Sequence, residues 1–269
     1  MSAAPPRILA IAGSDSSGGA GIQADIKTIT MLGGYAMTAI TAVTAQNTQG
    51  VQAVEALSGD LVAQQITACI GDIGVDAIKI GMLHDAEIIA VVADSLAQLG
   101  DDIPIVLDPV MIATSGAKLI TDDAIAAMRE RLFPLASVIT PNLPELEALC
   151  GRSLSTSEDI AEAALELQSE YGCAVLAKGG HAEGERITDV FVMSQEGARA
   201  FDHARIDTRH THGTGCTLSS AIAALLGHGQ SLEHAVRLAR KFVFAAIEAA
   251  PGFGAGGGPL GHQAVRGLD

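Results

Sequence analysis

Short runs of consecutive apolar residues alternate with longer helical patterns along most of the chain, and this alternation limits the possible folds. The apolar runs predict strands at residues 7–12, 38–45, 77–80, 105–107, 138–140, 174–177 and 189–193. Most of these runs are uninterrupted, which is typical of strands covered on both faces by helices. The sequence therefore predicts an α/β fold in which helices flank a central, mostly parallel sheet.

Helical periodicity fills the segments between the predicted strands. It predicts helices at residues 21–32, 60–71, 85–99, 121–132, 143–149, 157–171, 215–226 and 232–249. No internal repeat, charge block or linker divides the chain, so we expect one domain of residues 1–269. The glycine-rich segment 252–259 is predicted from its composition alone to be a flexible end.

Charge and cysteine content narrow the range of partners. The chain has 269 residues, of which 48% are hydrophobic, and a net charge of −15. Such a charge disfavours nucleic acid and anionic membranes as partners, because phosphate groups need a cationic surface. The four cysteines are too widely spaced to indicate a disulfide framework or a zinc site. With no long apolar stretch and no signal-peptide pattern, we expect a cytoplasmic protein.

A glycine run at residues 211–218 leads directly into a helical pattern. Gly213, Thr214 and Gly215 would place unpaired backbone N–H groups at a helix N-terminus, where a phosphate or a developing oxyanion binds favourably. Cys216 falls in the first helical turn, where the pKa of a thiol is typically lowered from ~8.5. A tight loop with a buried structural cysteine explains the same residues, and the segment alone leaves both interpretations open.

Polar residues follow several of the predicted strands, at the edge of the sheet where ligands bind in folds of this class. Asp108 follows the run 105–107, and Asn142 and Glu145 stand three residues apart at a predicted helix start. Oxygen donors of this kind suit Mg²⁺. Lys178 precedes two glycines and could contact nucleotide phosphates. Structural roles remain open for each of them: a turn cap for Asp108, a helix-dipole interaction for Glu145 and a strand-end turn at residues 178–180.

Several motifs carry a resemblance to known kinases. The motifs NLPE at 142–145, KGGH at 178–181 and GTGC at 213–216, in this order, are similar to those of the ribokinase-like superfamily of ATP-dependent small-molecule kinases. A narrower resemblance is to hydroxymethylpyrimidine/phosphomethylpyrimidine kinases of thiamine biosynthesis. It rests on AIAGSDSSGGAGIQAD at 10–25, AQNT at 45–48, KIGML at 79–83, LDPVM at 107–111, THGTGCTLS at 211–219 and GGGPLGH at 256–262.

The resemblance implies a ribokinase-like αβα sandwich with a mostly parallel central sheet. It also implies two successive transfers from ATP, first to 4-amino-5-hydroxymethyl-2-methylpyrimidine and then to the resulting monophosphate. Relatives of this kind are commonly dimeric, so a homodimer is expected. By motif matching, the pyrimidine-binding positions are Gly13, Asp25, Thr44, Gln46, Met82, Val110 and Cys216.

The same matching implies the phosphate and metal positions. ATP would be bound by Asn142, Glu145, Lys178, Gly213 and Gly215, and Mg²⁺ would be organised by Asp108, Asn142 and Glu145. The residues implied in catalysis are Cys216, Lys178, Gly213, Thr214 and Gly215.

Some details of the pocket depart from the resemblance or support it independently. Thr44 stands where relatives can carry an aliphatic residue, and Pro109 follows Asp108 where others differ. Both changes could alter the contacts of the pocket with its substrate without altering the class of enzyme. A carboxamide at Gln46 also makes chemical sense, because it can donate to a ring nitrogen while accepting from an adjacent exocyclic amine.

The role of Cys216 and the choice of substrate remain open at this stage. Many sugar kinases of the superfamily carry an aspartate base at this position. A thiolate there would accept the alcohol proton, whereas a thiol would only orient the alcohol. A pyridoxal kinase is the alternative enzyme, since pyridoxal is also a hydroxymethyl-bearing aromatic heterocycle. A non-catalytic nucleotide or metabolite sensor is the other alternative, although Glu145, Lys178 and the glycine run argue against it.

Overall fold

The computed structural model describes residues 4–100, 102–111, 120–181, 184–193 and 197–265. Its strands are β1 (Arg7–Ala12), β2 (Tyr35–Ile40), β3 (Ala42–Asn47), β4 (Gly50–Ala56), β5 (Ala77–Ile80), β6 (Ile105–Leu107), β7 (Val138–Ile139), β8 (Ala174–Ala177), β9 (Arg186–Val192) and β10 (Ala198–Ala204). Eight of them form one sheet in the order β10-β9-β8-β7-β6-β5-β1-β2. Strands β1, β2 and β5 to β8 run parallel, and β9 and β10 add an antiparallel edge.

Helices cover both faces of this sheet. They are α1 (Gly21–Met31), α2 (Gly59–Ala68), α3 (Ala86–Leu96), α4 (Asp122–Arg131), α5 (Leu143–Cys150), α6 (Ser157–Tyr171), α7 (Thr214–Gly227) and α8 (Leu232–Glu248). Helices α2 to α6 pack in one apolar cluster, and α1, α7 and α8 pack in a second cluster on the opposite face. The predicted three-layer αβα architecture is confirmed.

Strand β1 shows why the apolar runs are uninterrupted. Leu9 and Ile11 belong to the first cluster, whereas Ile8 and Ala10 belong to the second, and all four are fully buried. Successive side chains of a strand point to opposite faces, so a central strand with helices on both sides needs apolar residues at every position.

The single strand predicted at residues 38–45 is two strands in the structure. The run 38–45 is divided at Thr41, whose N–H donates to the carbonyl of Ala12 (3.1 Å) and whose hydroxyl donates to the carbonyl of Met82 (2.7 Å). After this residue the chain leaves the main sheet and forms the hairpin β3–β4, which pairs antiparallel. The break has a consequence for the site, because it directs β3 over the carboxyl ends of β1 and β5.

Two strands were not predicted. Most residues of β4 and β10 are exposed or partly exposed, so neither carries an apolar run. Both are held by antiparallel pairing with the preceding strand. Pairing of this kind depends on backbone hydrogen bonds, which an apolar pattern does not report.

The flexible end predicted for residues 252–259 is also wrong. The carbonyl of Gly258 accepts a hydrogen bond from the N–H of His212 (3.1 Å), and the N–H of Gly256 donates to the hydroxyl of Thr48 (3.3 Å). The segment therefore joins the hairpin β3–β4 to the loop before α7. Within the described residues, no helix is both long enough and apolar enough to cross a bilayer.

Candidate active site

A cavity of about 740 Å³ lies beyond the carboxyl ends of the parallel strands, between the hairpin β3–β4 and the N-terminus of α7. The structure brings nearly all of the sequence-predicted site residues to its wall: Gly13, Thr44, Gln46, Met82, Asp108, Val110, Asn142, Glu145, Lys178, Gly213, Thr214, Gly215 and Cys216. Asp25 is the exception and does not line the cavity. The structure shows where these residues lie, and their roles remain predictions.

The glycine loop forms the centre of the cavity wall. Gly213 caps α7 with a φ of 88°, and a Cβ at this position would lie 1.8 Å from the carbonyl oxygen of Gly19. Only glycine combines this backbone conformation with this close approach. Thr214 closes the loop by donating its hydroxyl hydrogen to the carbonyl of Thr211 (2.6 Å). The N–H of Thr214 donates to the same carbonyl (3.2 Å), so the N–H groups of Gly215 and Cys216 are the ones that can form an anion site at the cavity wall.

Lys178 brings a cation to the same place. It follows β8, and its Nζ lies 2.6 Å from Asp108 Oδ1 and 3.9 Å from Glu145 Oε2. A Cβ on Gly215 would lie 3.3 Å from this nitrogen and 3.2 Å from Asp108 Oδ2, so the helix start, the cation and the carboxylate meet closely. Burial alone would lower the pKa of Lys178, but Asp108 and Glu145 raise it above its usual value. The lysine is therefore charged at any physiological pH.

The predicted magnesium ligands differ in their availability. Asn142 and Glu145 form a capping box at the start of α5, with Asn142 Oδ1 accepting from the N–H of Glu145 (2.9 Å) and Glu145 Oε2 accepting from the N–H of Asn142 (2.7 Å). Asp108 points an oxygen toward Gly215. Among the described residues, no group of three or more His, Cys, Asp or Glu side chains could hold a metal ion.

This donor set still fits Mg²⁺, which usually takes one or two protein carboxylates and completes its shell with water and substrate phosphates. Asp108 and Glu145 are two such carboxylates beside the anion site. Direct coordination by Asn142 or Glu145 would have to compete with the capping box, so Asp108 is the better placed of the three predicted ligands.

Glu145 has an unusual protonation equilibrium. Burial raises its pKa to about 7, and the neighbouring Asp108 carboxylate adds to the rise while Lys178 opposes it. Since this folded-state pKa exceeds the unfolded value of 4.5, the contribution of Glu145 to stability is full below pH 4.5 and is lost as the pH rises through 7.

Glu145→Gln is therefore expected to raise the melting temperature at pH 8 by about 2–6 °C and to change it little at pH 4.5. Glutamine keeps the size and the capping acceptor of the side chain and removes its charge. Calorimetry at the two pH values measures the effect, and Glu130→Gln on the exposed side of α4 is the matched control. An equal shift at both pH values would contradict the assigned titration.

Cys216 lies in the first turn of α7, as predicted, but its acidity differs from the expectation. Burial raises the pKa of its thiol to about 11, although the Lys79 ammonium and the N–H of Gly21 act to lower it. The predicted lowering of this pKa is wrong, because loss of hydration outweighs the helix N-terminus and the nearby cation.

Asp25 lies in the buried layer beneath this helix. Both of its oxygens accept from Lys79 Nζ at 2.9 Å, and Oδ1 also accepts from the hydroxyl of Ser220 (2.7 Å), one turn after Cys216. The side chains of Lys79 and Asp25 have no exposed surface. The carboxylate therefore links α1, β5 and α7, and in this structure it does not reach a ligand in the cavity.

One end of the cavity is formed by the predicted pyrimidine-binding residues. The side chain of Met82 packs over Gly13, where a Cβ would lie 2.4 Å from the Met82 Cε. Val110, two residues after Asp108, adds a second apolar contact surface. Thr44 and Gln46 extend from β3 and supply the polar groups. An apolar floor with a carboxamide at its edge suits a flat, polar heterocycle.

Sequence reasoning missed several groups of lining residues, among them the polar side chains of Asp189, His203, Arg205, Asp207, Thr208 and Arg240. Asp15 and His212 lie in recognised motifs, yet neither was assigned a role; their side chains are 2.8 Å apart. At the opposite end of the cavity, apolar side chains of β9 and α8 form a wall that no motif marks. The members of this wall are Ile187, Val243, Phe244 and Ile247.

Comparison with known protein families gives a match that includes most of the residues lining the cavity. The profile of the phosphomethylpyrimidine kinase family matches residues 15–261, which include the glycine loop at residues 213–215 and the carboxylates of Asp108 and Glu145. The chain belongs to the phosphomethylpyrimidine kinase family. The resemblance drawn from the motifs is thereby confirmed.

Individual members of the family match nearly the whole chain. A hydroxymethylpyrimidine/phosphomethylpyrimidine kinase of Rhizobium meliloti (strain 1021) is 49% identical over 257 residues, which are 94% of this chain and 96% of that protein. The thiamine biosynthesis bifunctional protein ThiED of Geobacter sulfurreducens is 45% identical over 255 residues, covering 95% of this chain and 52% of that longer protein.

A solved structure shares the fold. The pyridoxal kinase from Staphylococcus aureus in complex with AMP-PCP and pyridoxal is 34% identical, with a TM-score of 0.88. The similarity covers 97% of this chain and 95% of that protein. This phosphomethylpyrimidine kinase family member is thus also similar to enzymes that act on another hydroxymethyl-bearing heterocycle.

Proposed function

We propose that the chain transfers phosphoryl groups from ATP to 4-amino-5-hydroxymethyl-2-methylpyrimidine and then to its monophosphate, in thiamine biosynthesis. The observation that carries this proposal is one cavity with the Gln46 carboxamide at one end and the anion loop and Lys178 at its centre. A heterocycle held at the first place presents its hydroxymethyl group to the second. The family membership and the names of the relatives support the same reaction.

The protein residues act by positioning and by charge. The N–H groups at the start of α7 would hold the equatorial oxygens of the transferred phosphoryl, and Lys178 would balance the charge that they gain in the transition state. Asp108, with support from Glu145, would hold Mg²⁺. When bound, this ion neutralises charge on the phosphate oxygens of ATP.

The orientation of ATP follows from the shape of the cavity. The apolar wall of Ile187, Val243, Phe244 and Ile247 lies at the end opposite Gln46. We propose that it receives the adenine ring, because a flat base is buried best against aliphatic and aromatic side chains. The phosphates would then extend past Lys178 toward the hydroxymethyl group. A structural relative that binds AMP-PCP supports the use of ATP.

The test is a product analysis. With ATP, Mg²⁺ and the hydroxymethylpyrimidine, we expect the monophosphate to form first and to decline while the diphosphate accumulates, as followed by ³¹P NMR. A chelator should stop both reactions and added Mg²⁺ should restore them. Consumption of ATP without a phosphorylated pyrimidine would refute the proposal.

Pyridoxal is the second candidate substrate, because the pyridoxal kinase of Staphylococcus aureus shares the fold over nearly the whole chain. The same product analysis with pyridoxal, run beside the pyrimidine, compares the two values of kcat/KM. We propose that the pyrimidine is preferred, since its ring nitrogen and amine match the donor and acceptor of Gln46.

Three features stay proposals. The homodimer finds support in the hairpin β3–β4, whose Val43 is 47% exposed, and sedimentation of the purified chain would test it. The single domain of residues 1–269 includes residues outside the described ranges. The cytoplasmic location remains a prediction from the sequence.

A further inference from the structure

Asp15 is a buried carboxylate at the centre of the loop between β1 and α1. Its Oδ1 accepts from the N–H and the hydroxyl of Ser17, and its Oδ2 accepts from the N–H groups of Gly19 and Ala20 and contacts His212 Nε2 at 2.8 Å. Burial alone would raise the pKa of Asp15, but these hydrogen bonds lower it to about 2. The group is therefore an ionised acceptor.

An ionised carboxylate only accepts, so His212 Nε2 must carry the hydrogen in the 2.8 Å contact. This conclusion holds whether the imidazole ring is neutral or charged, because Nε2 is a donor in both cases. Had the hydrogen been on Nδ1 alone, two acceptors would face each other in a buried place. The Asp15 carboxylate consequently fixes His212 Nε2 as a donor.

The fixed donor determines the orientation of the neighbouring carboxamide. As placed, Gln46 Nε2 lies 3.3 Å from His212 Nε2, and Gln46 Oε1 lies 3.4 Å from Thr44 Oγ1. The first contact would set two donors against each other. The two ends of a carboxamide have the same shape, so the hydrogen-bond partners decide which end is oxygen. The single hydrogen on His212 Nε2 already bonds Asp15, so an amide oxygen on this side receives it only as the longer arm of a three-centre hydrogen bond, whereas an amide nitrogen would meet it as a second donor. We therefore place the oxygen of Gln46 toward His212 and its nitrogen toward Thr44.

The other end of the chain of hydrogen bonds agrees with this orientation. The hydroxyl of Thr44 donates its hydrogen to the carbonyl of Ser14 at 2.8 Å. It can then only accept from Gln46, which requires the amide nitrogen at that side. The contacts of Gln46 with His212 and with Thr44 therefore favour the same orientation of the amide, in which its oxygen faces the N–H that bonds Asp15 and its nitrogen donates to Thr44.

The main chain of Gln46 is held by the same loop. Its N–H donates to the hydroxyl of Ser16 at 2.8 Å, and its carbonyl accepts from that hydroxyl at 2.9 Å. The carboxamide is thus attached to a fixed backbone, and only its rotation about the terminal bond remains to be set. One lone pair of its oxygen and one hydrogen of its nitrogen remain for a ligand in the cavity.

We propose that His212, held by Asp15, is a positioning residue that sets the order of acceptor and donor on Gln46 and so makes the enzyme select heterocycles with an amine beside a ring nitrogen. The inference rests on the proposed function and adds the origin of the selectivity. His212 does not take part in phosphoryl transfer. Its removal should therefore change the recognition of the heterocycle and leave ATP binding intact.

The test compares two substrates that differ in one group: the 4-aminopyrimidine and an analogue with hydrogen in place of the amine. The parent enzyme should prefer the amine by about 10- to 100-fold in kcat/KM, the value of one specific hydrogen-bonding pair. In His212→Phe, which keeps the ring and loses the donor, the preference should fall below about 5-fold. The KM for ATP should change less than about 2-fold.

Two further variants separate the donor from the ring. His212→Gln retains an N–H donor and should recover most of the preference. His228→Phe is the matched control, because this exposed histidine bonds the carbonyl of Leu32 and does not line the cavity. An unchanged preference in His212→Phe, a His212→Gln variant as unselective as His212→Phe, or a parent that does not distinguish the two substrates would overturn the inference.

A direct observation covers the case in which the Phe variant does not fold. A neutron structure of the perdeuterated parent should show deuterium on His212 Nε2 and two deuterium atoms on the Gln46 atom that faces Thr44. Deuterium on the Gln46 atom that faces His212 would refute the assigned order. A parent that phosphorylates no pyrimidine would refute the proposed function instead, and the neutron map would still decide the orientation.

Discussion

Lys178→Met is expected to lower kcat for both phosphoryl transfers by about 10²–10³-fold, the usual loss when one group that stabilises transition-state charge is removed. Lys178 Nζ lies between Asp108 and Glu145 and close to Gly215, so it faces the place where the transferred phosphoryl meets the anion loop. The donor is ATP in both reactions. The two rates should therefore fall by similar factors, which single-turnover measurements with each substrate would show.

Folding should survive this change. Removal of the cation leaves two buried carboxylates, but the pKa of Glu145 is already raised to about 7 and it can take up a proton at neutral pH. Lys241→Met, at an exposed position of α8 that does not line the cavity, is the matched control and should keep the parent rates. If Lys178→Met retained both rates within about 3-fold, the lysine would be only a structural partner of Asp108.

Much of the site was predictable because of where the residues stand along the strands. Asp108 and Lys178 follow buried parallel strands directly, and the carboxyl ends of such strands open on one cleft. The same rule places Asn142 and Glu145 there, after β7. Alternation of apolar runs and helical patterns was enough to give the three layers, since each central strand needs apolar residues on both faces.

The predictions that failed share a physical cause: each concerns a residue whose environment is set by contacts distant in sequence. Asp25 belongs to a motif, but its position inside α1 directs it to Lys79 and Ser220 rather than to the cavity. The acidity of Cys216 was predicted from the helix start alone, whereas burial by surrounding elements determines it. Such burial cannot be read from a motif.

Other parts of the site could not be recognised from any motif or pattern in the sequence. The apolar wall proposed for adenine comes from β9 and α8, and its members Val243, Phe244 and Ile247 lie at helical spacing that an ordinary core helix would also show. The glycine-rich segment 252–259 is ordered by hydrogen bonds to Thr48 and His212, each made by backbone groups. Amino-acid composition predicts neither the position of the apolar wall nor the order of this segment.

Cys216→Ala is expected to slow formation of the monophosphate by about 10²-fold at pH 10, where about a tenth of the parent thiol is ionised, and by less at pH 7, and to slow formation of the diphosphate much less at either pH. The first acceptor is an alcohol that must lose a proton, so a group that accepts this proton contributes about 10²–10⁴-fold. The second acceptor is a phosphate monoester whose own pKa is near ~6, and it is already ionised at neutral pH. A proton acceptor at Cys216 is needed in only one of the two reactions.

The raised pKa of the thiol gives the experiment a second readout. With a pKa of about 11, Cys216 is protonated at pH 7, and its thiolate fraction grows about tenfold for each pH unit toward pH 10. If the thiolate is the base, the first rate of the parent should rise with pH and that of Cys216→Ala should not. Glu145 also titrates near pH 7, but it serves both reactions. The ratio of the two rates therefore isolates the thiol.

Cys216→Ser serves as the control for packing, because it keeps a side chain of nearly the same shape whose hydroxyl does not ionise in this range. It should show the selective loss of the alanine variant and lack the rise with pH. Equal losses in both reactions, with a rate ratio independent of pH in the parent, would mean that Cys216 supports the loop of Gly213 and Gly215. In that case the thiol would orient the acceptor, and the N–H groups of α7 together with Lys178 would account for the catalysis.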